Sequence, residues 1–256
     1  MLSDAGSATI KRYGLLNTLV EPALGANSND PGLKADVEKY VSGVGVRPEM
    51  AGMAFPGTLV VDRQGRVTSR FFEDFYVERN TVSSLLIKLG NKAGSSMAAT
   101  KVSTNHLDVT AYASDTAVAP GNRFSLVVEV APHTRLHVYA PGAEKLGYRV
   151  ISLKLEPHPQ IHVFPVQYPA SEMYFFKPLK ERVPVFEKAF QLVQELLLDG
   201  TPASQEALRG TEHVTLTGTL QYQACDDRIC YSPVSVPLSW KLSLRNIIRE
   251  RPTVER

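Results

Sequence analysis

The sequence contains only two cysteines in 256 residues. Two cysteines close at most one disulfide, so no framework of cross-links holds this chain and its stability rests on packed cores. Both fall in one short segment, as Cys225 and Cys230, which gives them a local role rather than a global one. Apolar runs near the ~18–20 residues of a membrane helix are missing, so no membrane segment is expected in this chain. The opening, Met1 to Val20, has no basic stretch followed by an apolar one and does not read as a secretory signal. Neither sign of charge dominates: 28 basic residues face 26 acidic ones, for a net charge of +2. The basic residues are scattered except for Arg245, Arg249, Arg251 and Arg256, which read as a solvated basic tail over 246–256. That balance gives no reason to expect nucleic acid as a partner. No second cysteine pair and no pair of histidines at zinc-finger spacing follows the two cysteines, so a zinc site lacks ligands and no cofactor is expected.

What is present is ordinary for a globular protein: 43% apolar and 21% charged residues, over a length comfortable for two domains. Residues 1–92 read as mixed α and β. Ser3 or Asp4 is placed to cap a short helix that turns Ile10 and Tyr13 inward. Leu33, Val37, Tyr40 and Val41 repeat at helical spacing after Pro31. Thr58 to Asp62 reads as a buried strand, 63–66 as a hairpin turn and Val67 to Phe72 as the return strand. Val82, Leu85, Leu86 and Leu89 give residues 78–89 one apolar helical face, ended by Gly90. Residues 93–104 are small and polar and read as a linker.

From residue 105 the period changes to two. Leu107, Val109 and Ala111 alternate with polar partners, as do Phe124, Leu126, Val128 and Val130, then Leu136 and Val138, then Ile151, Leu153 and Leu155. The clearest strands are Val214 to Tyr222 and Val234 to Leu242. Short strands between Pro/Gly turns point to a β-sandwich over 105–245. Val185 to Leu198 fits either a helix or a pair of irregular strands.

The last two strands bracket Ala224-Cys-Asp-Asp-Arg-Ile-Cys-Tyr231. Strand, short loop, strand is a hairpin, and its spacer lets the two cysteine Cα atoms approach within the ~4.4–6.8 Å of a disulfide. Closing so short a loop stabilises the fold by less than the ~3 kcal/mol of a loop of ~15 residues. A stabilising cross-link would join distant segments, so a pair this close favours reversible exchange. A structural hairpin disulfide, two unrelated buried thiols and half of a zinc site are the competing readings. Asp226 and Asp227 would raise a thiol pKa here and Arg228 would lower it.

At these residues the sequence resembles a known family. Gln221-Tyr-Gln-Ala-Cys-Asp-Asp-Arg-Ile-Cys-Tyr-Ser-Pro, with Val236-Pro-Leu-Ser-Trp240, is similar to the N-terminal domain of the thiol:disulfide interchange protein DsbD. Leu136-His-Val-Tyr-Ala-Pro-Gly142, Gly147-Tyr-Arg-Val150 and Val166-Gln-Tyr-Pro169 support the resemblance, which covers roughly 105–242. It implies an immunoglobulin-like sandwich whose cysteine pair exchanges disulfides with a thioredoxin-like protein partner. It implies that Cys230 attacks and Cys225 resolves. His137 and Tyr139 fall where the family places aromatic residues beside its cysteines, although a surface strand position is the bland reading of His137. Glu172-Met-Tyr-Phe-Phe176 falls in the region of the family's mobile cap, so Glu172, Tyr174 and Phe175 are flanking or cap residues together with Asp226, Asp227, Arg228 and Tyr231. The spacer here is one residue shorter than in the best-known members.

A second resemblance covers the first region. Leu2-Ser-Asp-Ala-Gly-Ser-Ala-Thr-Ile-Lys-Arg-Tyr-Gly-Leu-Leu-Asn17 and Phe55-Pro-Gly-Thr-Leu-Val-Val-Asp-Arg-Gln-Gly-Arg-Val67 look like the redoxin or AhpC/TSA branch of the thioredoxin fold. This implies a partial α/β thioredoxin-like domain over 1–92, followed by the all-β immunoglobulin-like sandwich. Pro56 would be the proline beside the active site, in cis, with Thr58 on the same loop. Residues 1–92 hold no cysteine, whereas the family's reactive cysteine precedes the matching segment. A truncated product or misplaced start is the expectation, and peroxidase activity by this chain alone is not. Three functions follow: a thiol–disulfide oxidoreductase module relaying electrons through Cys225 and Cys230, a peroxiredoxin-like antioxidant protein lacking its cysteine segment, and a non-enzymatic binding sandwich with a static disulfide. Exchange of the DsbD kind implies a periplasmic or other extracytoplasmic location; the missing export signal leaves a cytoplasmic one open.

Overall fold

The computed structural model describes residues 4–25, 30–72, 78–91, 99–176 and 180–246. The chain divides into two compact units and is mostly β-sheet with few helices. The first unit comprises Met1–Asn80, Pro120–Arg123 and Leu198–Arg209; the second comprises Thr81–Ala119, Phe124–Leu197 and Gly210–Arg256.

In the first unit the Asp4 carboxylate accepts the N–H groups of Thr9 and Ile10 and so starts helix α1 (Ala8–Arg12). Tyr13, expected to turn inward, follows the end of this five-residue helix and is exposed. Helix α2 (Val20–Ala23) packs on α3 (Pro31–Val44), whose first turn carries Pro31 and is capped by Asp30 accepting from the Gly32 N–H. Leu19, Val20, Tyr40 and Met50 form the core there, with Leu33 and Val37 against it. Strands β1 (Gly57–Val61) and β2 (Val67–Phe72) form an antiparallel hairpin. Asp62 shapes its turn by accepting from the N–H groups of Gln64 and Arg66. The buried strand expected here is half exposed, because β1 and β2 pair only with each other among the described residues. The two-residue strand β3 (Arg79–Asn80) pairs in parallel with Asn122 and Arg123. These elements do not show the thioredoxin-like domain that the redoxin resemblance implies, and no described peptide bond is cis, that before Pro56 included.

Helix α4 (Val82–Lys88) belongs to the second unit, which begins at Thr81, ahead of the residue 92 expected from the sequence. Its N-cap Thr81 accepts from the Ser84 N–H. Its buried face explains the assignment: Ile87, 3% exposed, packs on Val127 and Val193, and the Ser84 and Ser125 hydroxyls share a hydrogen bond of 2.7 Å. The linker expected over 93–104 also ends early. Strand β4 (Thr100–Ser103) pairs antiparallel with β5 (Leu107–Ala113). It looks like linker in sequence because Thr100, Lys101 and Ser103 are exposed on a sheet edge. Residues 93–98, and the basic tail from 247 onward, lie outside the described residues.

The remaining strands are β6 (Ala117–Val118), β7 (Asn122–Pro132), β8 (His137–Tyr139), β9 (Ser152–Leu155), β10 (Ile161–Gln167), β11 (Glu172–Phe176), β12 (Glu181–Phe186) and β13 (Phe190–Leu198). Helix α5 (Pro202–Ala207) follows in the first unit, then β14 (His213–Tyr222), β15 (Ala224–Cys225) and β16 (Val234–Leu244). The sheet orders are β10-β13-β7-β5-β4, β6-β16-β14-β9 and β11-β12-β8-β15. Strand β16 packs against β5 and β4, which brings the first two sheets together. The ambiguous stretch from Val185 to Leu198 is the end of β12 and all of β13, with Phe186 and Phe190 stacked across the turn. Strand β14 pairs with β16 through Leu216 opposite Trp240 and Leu220 opposite Val236, all buried. On its other side β9 comes so close at Gly218 that an added Cβ would stand 2.6 Å from the Lys154 carbonyl oxygen. Only glycine fits that crossing.

Candidate functional site

The site sits on the third sheet. Strand β15 leaves β14 at Gln223 and pairs antiparallel with β8, placing Ala224 opposite Val138 and Cys225 opposite His137. The chain then turns back, with Asp226 N–H donating to the Ile229 carbonyl and Tyr231 N–H to the Ala224 carbonyl. This brings Cys230 opposite Cys225, and the two are joined by a disulfide with Cα atoms 4.0 Å apart. No thiol remains free.

Local chemistry holds this loop. One Asp226 oxygen accepts the N–H groups of Arg228 and Ile229, and the other accepts the Tyr231 hydroxyl at 3.1 Å. Those donors hold the Asp226 carboxyl below its ordinary range, with the Ile229 and Arg228 N–H groups as the main causes. Tyr231 is pushed up by the same carboxylate. Its carbonyl is anchored by the Gln223 side chain.

The two cysteines differ in access. Cys225 is 1% exposed and packs with Tyr139, Ala143, Val183 and Val185; Cys230 is exposed. The Tyr139 hydroxyl donates to the Cys230 sulfur at 3.3 Å. Burial pushes Tyr139 up to about 12, helped by Tyr148, Tyr174 and Glu181, so this hydroxyl keeps its proton across the ordinary pH range. Tyr148 stacks on Tyr139 with ring centres 4.3 Å apart and donates its own hydroxyl to Glu181.

Strand β11 is the far edge of the sheet, yet its Tyr174 reaches the cysteine loop. The Tyr174 hydroxyl donates to Asp227 at 2.6 Å, and that bond, with burial second, pushes Tyr174 up to about 12. The Tyr174 ring lies 4.5 Å from the His137 ring. Strand alternation turns Met173 and Phe175 to the opposite face, where they are 61% and 49% exposed. Glu172 is also exposed and pairs with Lys188. Of the expected cap residues, then, Tyr174 bonds to the loop, Phe175 turns to the opposite face and Glu172 bonds to Lys188.

His137 is a correction to the surface reading: it is 3% exposed. Burial lowers its pKa, against the pull of Asp227 and Asp226. Its Nε2 has no hydrogen-bond partner among the described residues. Tyr148 and Glu181 were not singled out in the sequence, nor was His106, whose ring lies 4.7 Å from that of Tyr231. They reach the site from distant segments, and only the quoted Gly147-Tyr-Arg-Val150 motif hinted at one of them. Pro56 and Thr58 belong to the first unit, at the start of β1, and are no part of this cluster. No group of metal-ligating side chains occurs among the described residues.

The crystal structure of the N-terminal periplasmic domain of ScsB from Proteus mirabilis is similar at 14% identity and a TM-score of 0.38, covering 56% of this chain and 49% of that one. The chain thus spans about half the length of that relative. The reduced N-terminal domain of Neisseria meningitidis DsbD is similar at 17% identity and a TM-score of 0.30, covering 46% of this chain and 76% of that one. No curated protein matches the chain. Both TM-scores are low, and kinship rests instead on a sequence match to the N-terminal domain of thiol:disulfide interchange protein DsbD over residues 108–236. That stretch is half the chain and includes both cysteines, and the chain belongs to the DsbD N-terminal domain family.

Proposed function

We propose that this chain is a thiol–disulfide exchange module that passes electrons through the Cys225–Cys230 pair to or from a thioredoxin-like protein. The carrying observation is an exposed Cys230 bonded to a buried Cys225 across a four-residue turn. Only Cys230 is open to an incoming sulfur. A partner thiolate attacks the Cys230 sulfur, the disulfide breaks, and its electron pair leaves on Cys225. A second partner thiolate then attacks its own sulfur in the mixed disulfide and releases Cys230. Two electrons and two protons reach this chain, and the partner is left as a disulfide. In reverse, Cys230 attacks and Cys225 resolves.

The surrounding groups fit roles in that cycle. The Tyr139 hydroxyl stabilises charge on the Cys230 sulfur. Tyr174, held by Asp227, covers one side of the loop, and release of that bond uncovers it. Asp226 keeps the turn that presents Cys230, while Arg228 and exposed Ile229 flank it toward a partner. Such exchange belongs to an oxidising extracytoplasmic space such as the periplasm.

The test is the reduction potential of the pair, with Cys225→Ser used to trap a partner on Cys230. We expect a potential well above ~−300 mV and a trapped mixed disulfide. A potential below ~−300 mV would mark a static structural bond and sink the proposal.

A further inference from the structure

A buried polar atom without a partner is rare in native proteins and calls for an explanation. His137 Nε2 is such an atom, in a side chain 97% withdrawn from solvent on the 3% exposure above. Its strand partner is Cys225. Residues directly opposite on antiparallel strands share a face, with Cβ atoms ~4.5–5.5 Å apart. In the disulfide, the Cys225 sulfur carries neither proton nor charge, so it offers the imidazole little. Reduction changes that: Cys225 becomes a thiol, which can give its proton to a nitrogen.

We propose that His137 Nε2 accepts the proton of Cys225 when that residue resolves the mixed disulfide. This rests on the exchange reading above. In the reduced protein, the Cys230 thiolate attacks a partner disulfide, forming Cys230–S–S–partner and freeing one partner thiolate. The Cys225 thiol then passes its proton to Nε2. The resulting thiolate attacks the Cys230 sulfur, and the electron pair of the mixed disulfide leaves on the second partner sulfur. The proton on His137 passes to that leaving thiolate or to solvent. The products are a reduced partner, neutral His137 and the Cys225–Cys230 disulfide of this structure.

The neighbours of His137 suit a group that is neutral at rest and charged in passing. Tyr139 on its own strand and Tyr174 on β11 present rings that exclude water. Both hydroxyls are held protonated, so neither adds charge. From the loop, Asp226 and Asp227 attract a transient imidazolium. Arg228 in the same loop opposes it from an exposed position. The β12 residues packed there, Val183 and Val185, are apolar. Burial keeps the resting ring neutral and able to accept.

The test mixes reduced protein with an aromatic disulfide reagent that releases a coloured thiolate at each step. The first release reports Cys230 attack; the second, independent of reagent concentration, reports resolution by Cys225. In the wild type we expect the second phase to stay fast into the neutral range. In His137→Phe and His137→Gln it should slow about tenfold or more at neutral pH, its inflection moving up to the ordinary thiol value of ~8.5. Equal second-phase profiles in wild type and both variants overturn the proposal while leaving exchange intact. A wild type that shows no second release removes the exchange reading, and this one with it. Should the variants fail to fold, the His137 imidazole nitrogen shifts of the wild type decide: their titration should move upward on reduction, and identical curves in both redox states overturn the proposal.

Discussion

Tyr139 donates to a sulfur that carries no charge in the disulfide, so its hydrogen bond strengthens only on reduction. A hydrogen bond to a charged group is worth ~1.5–3 kcal/mol, and one pKa unit is ~1.4 kcal/mol. In a Cys225→Ser background, adding Tyr139→Phe should therefore raise the Cys230 thiol pKa by about one unit or more. Thiolate absorbance against pH measures it, and an unmoved curve would deny the hydroxyl this role. Because Tyr139 itself is pushed up to about 12, the donor persists through the whole titration. The cysteines were legible from their spacing alone, since a short hairpin loop is a local object. His137 was marked only by the family resemblance. On pattern alone a lone histidine in an alternating strand reads as surface, and its burial depends on Tyr174 and Cys225, which arrive from 37 and 88 positions further along. Period-two alternation puts His137 on one face of β8 but cannot say that this face is covered.

Strand β7 shows the same limit at the scale of an element. Phe124, Leu126, Val128 and Val130 alternate in sequence as a strand buried on one side. The structure buries Ser125 and Val127 as well, because α4 covers part of the other face. A helix here was legible from the i, i+3, i+4 spacing of Val82, Leu85, Leu86 and Leu89, but the face it buries was not: Ser84 and Ile87 are buried while Val82 and Leu86 are exposed. Its destination was not legible either, because an apolar stripe does not name the surface it will cover. Removing the contact gives a direct check: Ile87→Ala should destabilise the second unit by about 2–5 kcal/mol in urea unfolding. A loss below ~1 kcal/mol would mean that α4 does not pack where the structure has it. Strand β4 was missed for a related reason, since an edge strand of Thr, Lys and Ser has the composition of a linker.

For the whole molecule, the disulfide contributes little to holding the fold. On the loop-entropy estimate a closed loop of this length stabilises by about 2 kcal/mol, against the several kcal/mol expected of a cross-link between distant segments. Denaturant midpoints of oxidised and reduced protein should accordingly differ by no more than that, with both forms folded; unfolding on reduction would identify a structural bond. The cores explain this independence: Leu107, Phe124, Leu126, Leu220, Tyr222 and Leu242 are buried without help from either cysteine. By itself the sequence determined the β-rich second region, the two clear strands β14 and β16, and the cysteine hairpin. Each of these is written in residues that lie within a few positions of one another. The tertiary structure alone decided that α4 joins the β-rich unit, that Tyr148 and Glu181 join Tyr139 and Tyr174 near the cysteine loop, and that His137 is buried opposite Cys225. Those outcomes depend on which strands pair and in what register, and pairing between distant segments leaves no periodic trace in either of them.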